Sequence, residues 1–363
     1  MLSIIVIILA LAVGIFFYLK APKFGQLPAG NDLARIQQSA NYVNGQFQNL
    51  IETPMFTTDQ SFLSVLYQNM TTRTERLQPE HNIPAVKTDL KAIPRDQDTV
   101  VWLGHSSFFI QLHGQRILLD PVFSDHAAPV SFAIPAFKGT SIYHSHDMPD
   151  IDVLLISHDH WDHLDYPSIM DMKNKTARII TALGTGSYFR GWGFDASKVS
   201  EGDWYNAFPI SSDVTVHLVP ARHYSGRLLK RNQTLWTGFV IEAADKRMLF
   251  GGDSGYGPHF SEIGQRFDGF DLVALDSGQY DQRWAYIHMT PEESMQAAED
   301  LGAKQFLPCH IGRFALAKHA WDEPFKQLAA AGKEHSFRLL TPRIGEAVYP
   351  YQQPAQTFSS WWL

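Results

Sequence analysis

The chain has 363 residues, enough for a large α/β domain with a full core. Its 30 Lys and Arg against 37 Asp and Glu give a formal net charge of −7, which argues against a nucleic-acid partner. The single Cys, Cys309, excludes an internal disulfide framework and a cysteine-rich zinc module, so any metal must be held by carboxylates and some of the 16 His.

Residues 2–19 form an apolar run interrupted only by Ser3, Gly14 and Tyr18. As a helix this run rises about 27 Å, close to the hydrocarbon thickness of a bilayer. No Lys or Arg precedes it, and Tyr18-Leu19-Lys20-Ala21-Pro22 has no small-x-small cleavage pattern. A single-pass anchor over residues 1–20 is therefore expected rather than a cleaved signal peptide. Lys20, Lys23 and Arg35 follow the run, which by positive-inside bias puts the remainder on the cytoplasmic side. Residues 21–98 are polar and rich in proline, and are read as a linker and wrapping extension. From residue 99 to 363 the texture becomes that of a catalytic domain.

In that domain, β-rich runs are predicted at 99–103, 108–112, 116–119, 152–156, 178–181, 214–219, 239–241, 247–250, 272–275 and 305–307. Helical patterns lie between some of them. The segment 291–301 is the best marked, with Thr290 as N-cap, Pro291 in the first helical position, Glu292 and Glu293 at the positive end and Gly302 as terminator. Strands mixed with helices predict an α/β or α+β layered fold.

The densest chemistry is Ser157-His158-Asp159-His160-Trp161-Asp162-His163-Leu164-Asp165, directly after the apolar run 153–156. His158 and His160 are two apart and share one side of an extended segment. Asp162 and His163 follow where the chain must turn. Four potential ligands in six residues at a strand end can serve two adjacent ions. Further candidates are His223, Asp253 and His310, each the first strongly coordinating side chain after a later β-rich run.

This H-x-H-x-D-H arrangement resembles the metallo-β-lactamase superfamily. Matching motifs continue through the domain: Trp102-Leu103-Gly104-His105-Ser106, Leu119-Asp120-Pro121-Val122-Phe123-Ser124, Pro220-Ala221-Arg222-His223-Tyr224, Gly251-Gly252-Asp253-Ser254-Gly255-Tyr256, Gln279-Tyr280-Asp281-Gln282-Arg283-Trp284, His288-Met289-Thr290-Pro291-Glu292-Glu293 and His310-Ile311-Gly312-Arg313-Phe314-Ala315-Leu316, of which the last three narrow the resemblance. Together they look like the N-acylphosphatidylethanolamine-hydrolysing phospholipase D family and its bacterial relatives, over residues 101–348. The resemblance implies an αββα sandwich and two zinc ions, with iron or manganese as chemical alternatives. It places His158, His160 and His223 on one ion, Asp162, His163 and His310 on the other, and Asp253 between them.

Two Zn²⁺ against Asp162, Asp253 and one bridging hydroxide leave a residual +1, suited to an anionic phosphodiester. The implied activity is a membrane-anchored phosphodiesterase in which that hydroxide cleaves N-acylphosphatidylethanolamine-like lipids. A sugar-phosphate lactonase and a non-catalytic metal-binding membrane protein are the alternatives. Leu164-Asp165-Tyr166-Pro167, without a nearby glycine, disfavours glyoxalase-type thioesterases and tRNA-processing nucleases. Asp253 in place of a Cys ligand disfavours a β-lactamase.

Around the ligands, His288 matches a family position beside the substrate and is a candidate proton donor or phosphate contact, grouped with Asp162 and Asp253 as catalytic. Asp120 is either an acceptor orienting a ligand imidazole or a turn residue before Pro121. His105 either lines the site or is a structural His. Tyr224 joins the residues around the ligands. Arg222 and Arg227, with Lys230 and Arg231, could pair with a lipid headgroup or form a solvated loop. Trp361, Trp362 and Leu363 could touch a bilayer or pack on the body. Cys309 should point away from His310 as a small buried hydrophobe. Arg222, Ile287 and Arg313 depart from the Gln, Gln and Thr of the eukaryotic enzymes.

Overall fold

The computed structural model describes residues 2–59, 67, 73–227 and 230–363, so part of the extension, residues 60–66 and 68–72, lies outside the described residues. Two seven-stranded sheets face each other. The first has the order β16-β3-β4-β5-β6-β7-β8, with β3 Thr99–Gly104, β4 Ser107–Leu112, β5 Gln115–Leu119, β6 Ile151–Ile156, β7 Thr176–Ala182, β8 Val199–Gly202 and β16 Ala347–Val348. The second runs β15-β14-β13-β12-β11-β10-β9, with β9 Ala207–Pro209, β10 Val214–Val219, β11 Gly238–Ala243, β12 Lys246–Phe250, β13 Leu272–Asp276, β14 Gln305–Cys309 and β15 Arg338–Leu339. A hairpin of β1 Tyr42–Val43 and β2 Gln46–Phe47 belongs to the extension. Every predicted β-rich run lies within one of these strands.

The strands are apolar on both faces because both faces are covered. Val100 and Trp102 of β3, Ile110 of β4 and Leu155 of β6 meet Val216, Ile241, Met248 and Leu307 between the sheets. Val101, Leu103, Leu154 and Ile156 point the other way, onto α3 Tyr166–Met172 and α4 Gly186–Gly191. Val240, Leu249, Val273 and Phe306 pack likewise against α5 His259–Phe267, α6 Pro291–Asp300 and α7 Glu323–Ala331. The layers are thus helix, sheet, sheet, helix. At α6 the predicted start is met by a reciprocal capping box, the Glu293 amide donating to Thr290 Oγ1 and the Thr290 amide to Glu293 Oε2. Cys309 joins the core between the sheets. Trp362 is buried and stacks on Phe325, and Trp361 packs against Phe325, so the tail closes on the body with Leu363 left exposed.

The N-terminus requires a correction. Helix α1, Leu2–Tyr18, has 17 residues, with exposed apolar side chains from Val6 to Phe17. No helix among the described residues is long and apolar enough to cross a membrane. The expected transmembrane anchor through residues 2–19, and the membrane localisation with a cytoplasmic body, are overturned. The helix ends a residue before the apolar run does, and 17 residues rise only about 25 Å. Its end is tied to the body, where the Tyr18 hydroxyl and Lys23 Nζ both donate to the Pro129 carbonyl at 2.8 and 2.5 Å. A short helix α2, Asn31–Ile36, follows and is held by Asp32 pairing with Arg190.

Candidate metal centre

The sheet topology decides where the polar residues fall. Strands β5, β6 and β7 are parallel in one sheet, as are β12, β13 and β14 in the other. Their carboxyl ends open at one edge of the sandwich, where side chains leave the ladder and become free for chemistry. Asp120 follows β5, His158 to His163 follow β6, His223 follows β10, Asp253 follows β12, Asp276 ends β13 and His310 follows β14. The two sheets are joined beside this edge, where the His310 amide donates to the His105 carbonyl at 3.0 Å. His105, Asp120 and His310 all have positive φ, 55°, 43° and 59°. That conformation is uncommon for such residues and tends to gather at functional sites.

Two groups of ligand atoms converge. His158 Nε2 lies 2.8 Å and His223 Nε2 3.3 Å from His160 Nδ1. In the second group, His310 Nε2 is 3.1 Å from Asp162 Oδ2, and His163 Nε2 is 3.5 Å from it. Asp253 Oδ2 stands between the groups, 3.1 and 3.2 Å from His163 and His310 Nε2, and 3.7 and 3.8 Å from His158 and His223 Nε2. Around one zinc ion at its usual bond lengths, neighbouring ligand atoms are about 3.3 Å apart. All seven residues anticipated as ligands are thus brought together. His105 adds itself to the second group, its Nε2 2.9 Å from Asp162 Oδ2.

The far nitrogen of four imidazoles is anchored, which fixes what faces inward. His163 Nδ1 donates to Asp120 Oδ2 at 2.8 Å, His223 Nδ1 to the Ile287 carbonyl at 3.0 Å and His310 Nδ1 to Asp276 Oδ1 at 3.2 Å. Ser157 Oγ donates to Asp120 Oδ2 at 2.5 Å, so it accepts from His158 Nδ1 at 3.0 Å. Each then turns its Nε2 inward, toward the neighbouring imidazoles and carboxylates. The buried Asp253 Oδ1 and His160 Nε2 have no hydrogen-bond partner among the described residues. Converging ring nitrogens, an unpartnered carboxylate oxygen and a nitrogen-oxygen donor set fit a divalent cation pair.

Electrostatics agree. Burial holds His158 and His223 well below the ordinary imidazole value and brings His160 and His105 down to about 4, keeping them neutral. Burial works the same way at His163 and His310 but is outweighed there. Asp253 and Asp162 lift His163 well above its ordinary value, and Asp253 and Asp276 lift His310 to about 10. Burial would raise Asp162 and Asp253, yet the neighbouring imidazoles, His163 first, hold both well below the usual carboxylate range. The pocket demands positive charge, and a cation that supplied it would displace these protons.

The remaining predicted residues separate. Asp120 is buried and also receives the Ser157 amide at 2.8 Å. His288 stacks on His310 with ring centroids 4.9 Å apart. The Tyr224 ring lies 4.4 Å from that of His160 and 4.8 Å from that of His223. The two arginines differ from the headgroup expectation. Arg227 is buried 3.8 Å over the Trp161 ring and donates to the carbonyls of Asp159, Leu164 and Lys23. Arg222 donates to the carbonyls of Glu52 and Tyr256 and to Thr53 Oγ1. Their guanidinium groups hold loops together.

Two residues escaped the sequence. Asn49, in the extension, accepts from the His223 amide at 3.0 Å and donates to the His223 carbonyl at 2.8 Å. Asp276 closes an apolar strand, and its charge at that strand end is the one signal that could have marked it.

The sandwich and its edge of histidines and aspartates define a metal-dependent hydrolase. The chain belongs to the β-lactamase superfamily: a family model described as Beta-lactamase superfamily domain matches residues 115–311. An uncharacterised protein of Mycobacterium tuberculosis is 35% identical over 329 residues, 88% of each chain. The N-acyl-phosphatidylethanolamine-hydrolyzing phospholipase D 1 of Caenorhabditis elegans is 30% identical over 227 residues, 59% of this chain and 64% of its own. Among solved structures, Igni18, a metallo hydrolase of Ignicoccus hospitalis, has a TM-score of 0.55 at 19% identity, covering 69% of this chain and 97% of that one. It shares the fold.

Proposed function

We propose that the protein is a dinuclear zinc phosphodiesterase of the phospholipase D type, acting on N-acylphosphatidylethanolamine-like lipids. The observation that carries the reading is Asp253 Oδ2 set between two groups of imidazole nitrogens, the arrangement a bridging ligand needs. His158, His160 and His223 would hold one ion, and Asp162, His163 and His310 the other. Zinc suits five imidazoles and two carboxylates, and Cys309 faces the core and offers no thiolate. When bound, the pair makes a nucleophile available at neutral pH and offsets charge on the phosphate.

The residues do the rest. Asp162 and Asp253 leave the pair a positive surplus that suits a singly charged phosphodiester. His288, its Nδ1 on Asp276 and its ring only partly exposed, would hold the leaving oxygen or a phosphoryl oxygen through Nε2. Tyr224 backs His160 and His223. The lipid substrate rests on the likeness to the worm phospholipase D and on the shared motifs.

The test incubates purified, zinc-loaded protein with N-acylphosphatidylethanolamine and with sugar-phosphate lactones, and identifies products by mass. Phosphatidic acid with N-acylethanolamine is the expected pair, absent with Asp253→Ala or His160→Ala, which should also lose stoichiometric zinc. Lactone opening alone overturns the lipid reading, and turnover by the zinc-free variants overturns the metal one.

A further inference from the structure

Asp276 is fully buried at the end of β13 and serves two imidazoles at once. Its Oδ1 accepts from His310 Nδ1 at 3.2 Å and its Oδ2 from His288 Nδ1 at 2.7 Å. The Gly278 amide donates to Oδ1 at 3.2 Å. The two rings are nearly parallel, 15° apart. Only one of them, His310, belongs to the seven-ligand set. The other sits on the connection that leads into α6, partly exposed and 5.0 Å from the His223 ring.

We propose that Asp276 is a positioning residue that sets the substrate-side imidazole of His288 in register with the metal-side imidazole of His310. A carboxylate has two oxygens and accepts from two N–H groups, whereas an amide offers one acceptor and turns a donor toward the other ring. With both Nδ1 atoms donating to Asp276, His310 turns Nε2 to Asp162 and Asp253, and His288 keeps Nε2 for the substrate. The carboxylate is itself well placed: Asp276 pairs in parallel register with Cys309, the residue before His310. One sheet therefore sets both the carboxylate and the ligand, and the carboxylate carries that placement to a residue on a loop. His288 is also within ligand reach of Asp253 and His310, so a direct metal role for it is a distinct outcome of the test.

The inference rests on the two-metal hydrolase reading and needs no particular lipid. Full-length wild type, Asp276→Asn, His288→Gln and the double variant are compared for zinc per chain, zinc retention against a chelator, and kcat and KM on bis(4-nitrophenyl) phosphate. His288→Gln should keep its zinc and lose kcat. Asp276→Asn should retain zinc roughly tenfold to a hundredfold more weakly. At saturating zinc its kcat should stay low with KM little changed, and the double variant should be no slower than the slower single one. Wild-type kcat in zinc-saturated Asp276→Asn overturns the proposal, as do multiplied losses in the double variant or loss of zinc from His288→Gln. If Asp276→Asn does not fold, long-range ¹H–¹⁵N spectra of zinc-loaded wild type decide: Nδ1–H on both rings supports the proposal, and a His288 Nδ1 without a proton overturns it. Wild type that binds zinc without turnover sinks the phosphodiesterase reading, while zinc retention and the tautomers still test Asp276.

Discussion

Asp120 receives His163 Nδ1 directly and His158 Nδ1 through Ser157 Oγ, so one buried carboxylate orients an imidazole of each group. Burial raises its pKa, and the bonds from His163 and Ser157 counter that rise. Asp120→Asn would turn a donor against His163 Nδ1–H or Ser157. The expected result is zinc retention weakened about tenfold to a hundredfold with little change in fold, read by chelator competition and circular dichroism. A second residue-scale prediction concerns His259, buried behind the site and 3.1 Å from Ser254 Oγ. Burial, helped by Arg222, brings its pKa down to about 3 from 6.5. Its folded pKa is depressed, so the unfolded chain binds more protons between these values. The stability from keeping this ring neutral is whole above pH 6.5 and is lost as pH falls toward 3. Urea titrations should show wild type losing ground to His259→Gln by about 1.4 kcal/mol per pH unit inside that window. Parallel stability profiles would show that this ring is not the titrating group.

At the scale of elements, the extension holds the metal loops from outside. The segment Pro22–Phe24 gives the Lys23 carbonyl to Arg227, the Pro22 carbonyl to Trp192 and the Phe24 ring to Trp161, which lies between His160 and Asp162. Gly25 follows at φ 69°, where a Cβ would sit 1.9 Å from the Tyr188 ring. Asn49 clamps the His223 backbone from both sides. Asn49→Ala should cost about 1–3 kcal/mol of stability and loosen the ion held by His158, His160 and His223 first. Zinc titration resolves this, because equal weakening of both ions would contradict a local clamp. These contacts were not legible in the sequence because they use main-chain carbonyls, which every residue offers. The strands were legible because their apolar runs carry a β signal, and α6 because its cap is written in Thr290, Pro291 and Glu293. Helices α3 and α4, of seven and six residues, are too short to show a period. The seven residues that converge at the site were readable from their places at strand ends. Asp276 was not, since its partners come from a different strand and a distant loop.

For the whole molecule, the site belongs to neither sheet alone. The residues after β6 bring His158, His160, Asp162 and His163 from one sheet, and those after β10, β12 and β14 bring His223, Asp253 and His310 from the other. A cation pair would therefore tie the two halves of the sandwich beyond what their shared core does. Without it, His158 Nε2 and His160 Nδ1 face each other at 2.8 Å, and His163 and His310 must take up protons to offset Asp162 and Asp253. A ligand that binds only the folded state stabilises it by about 2.7 kcal/mol at a hundred times its dissociation constant. Stripping the metal should therefore lower Tm by several degrees, and restoring zinc should recover it in a concentration-dependent way. Amide exchange should rise most at residues 157–163, 221–224 and 309–311, where the sheets meet across the ions, and least in the strand centres that pack between the sheets. A chelated protein shown by mass to be metal-free, yet melting at the same temperature with the same exchange pattern, would mean that the sheets are held by their core alone. The histidines would then be arranged for chemistry without contributing to the fold.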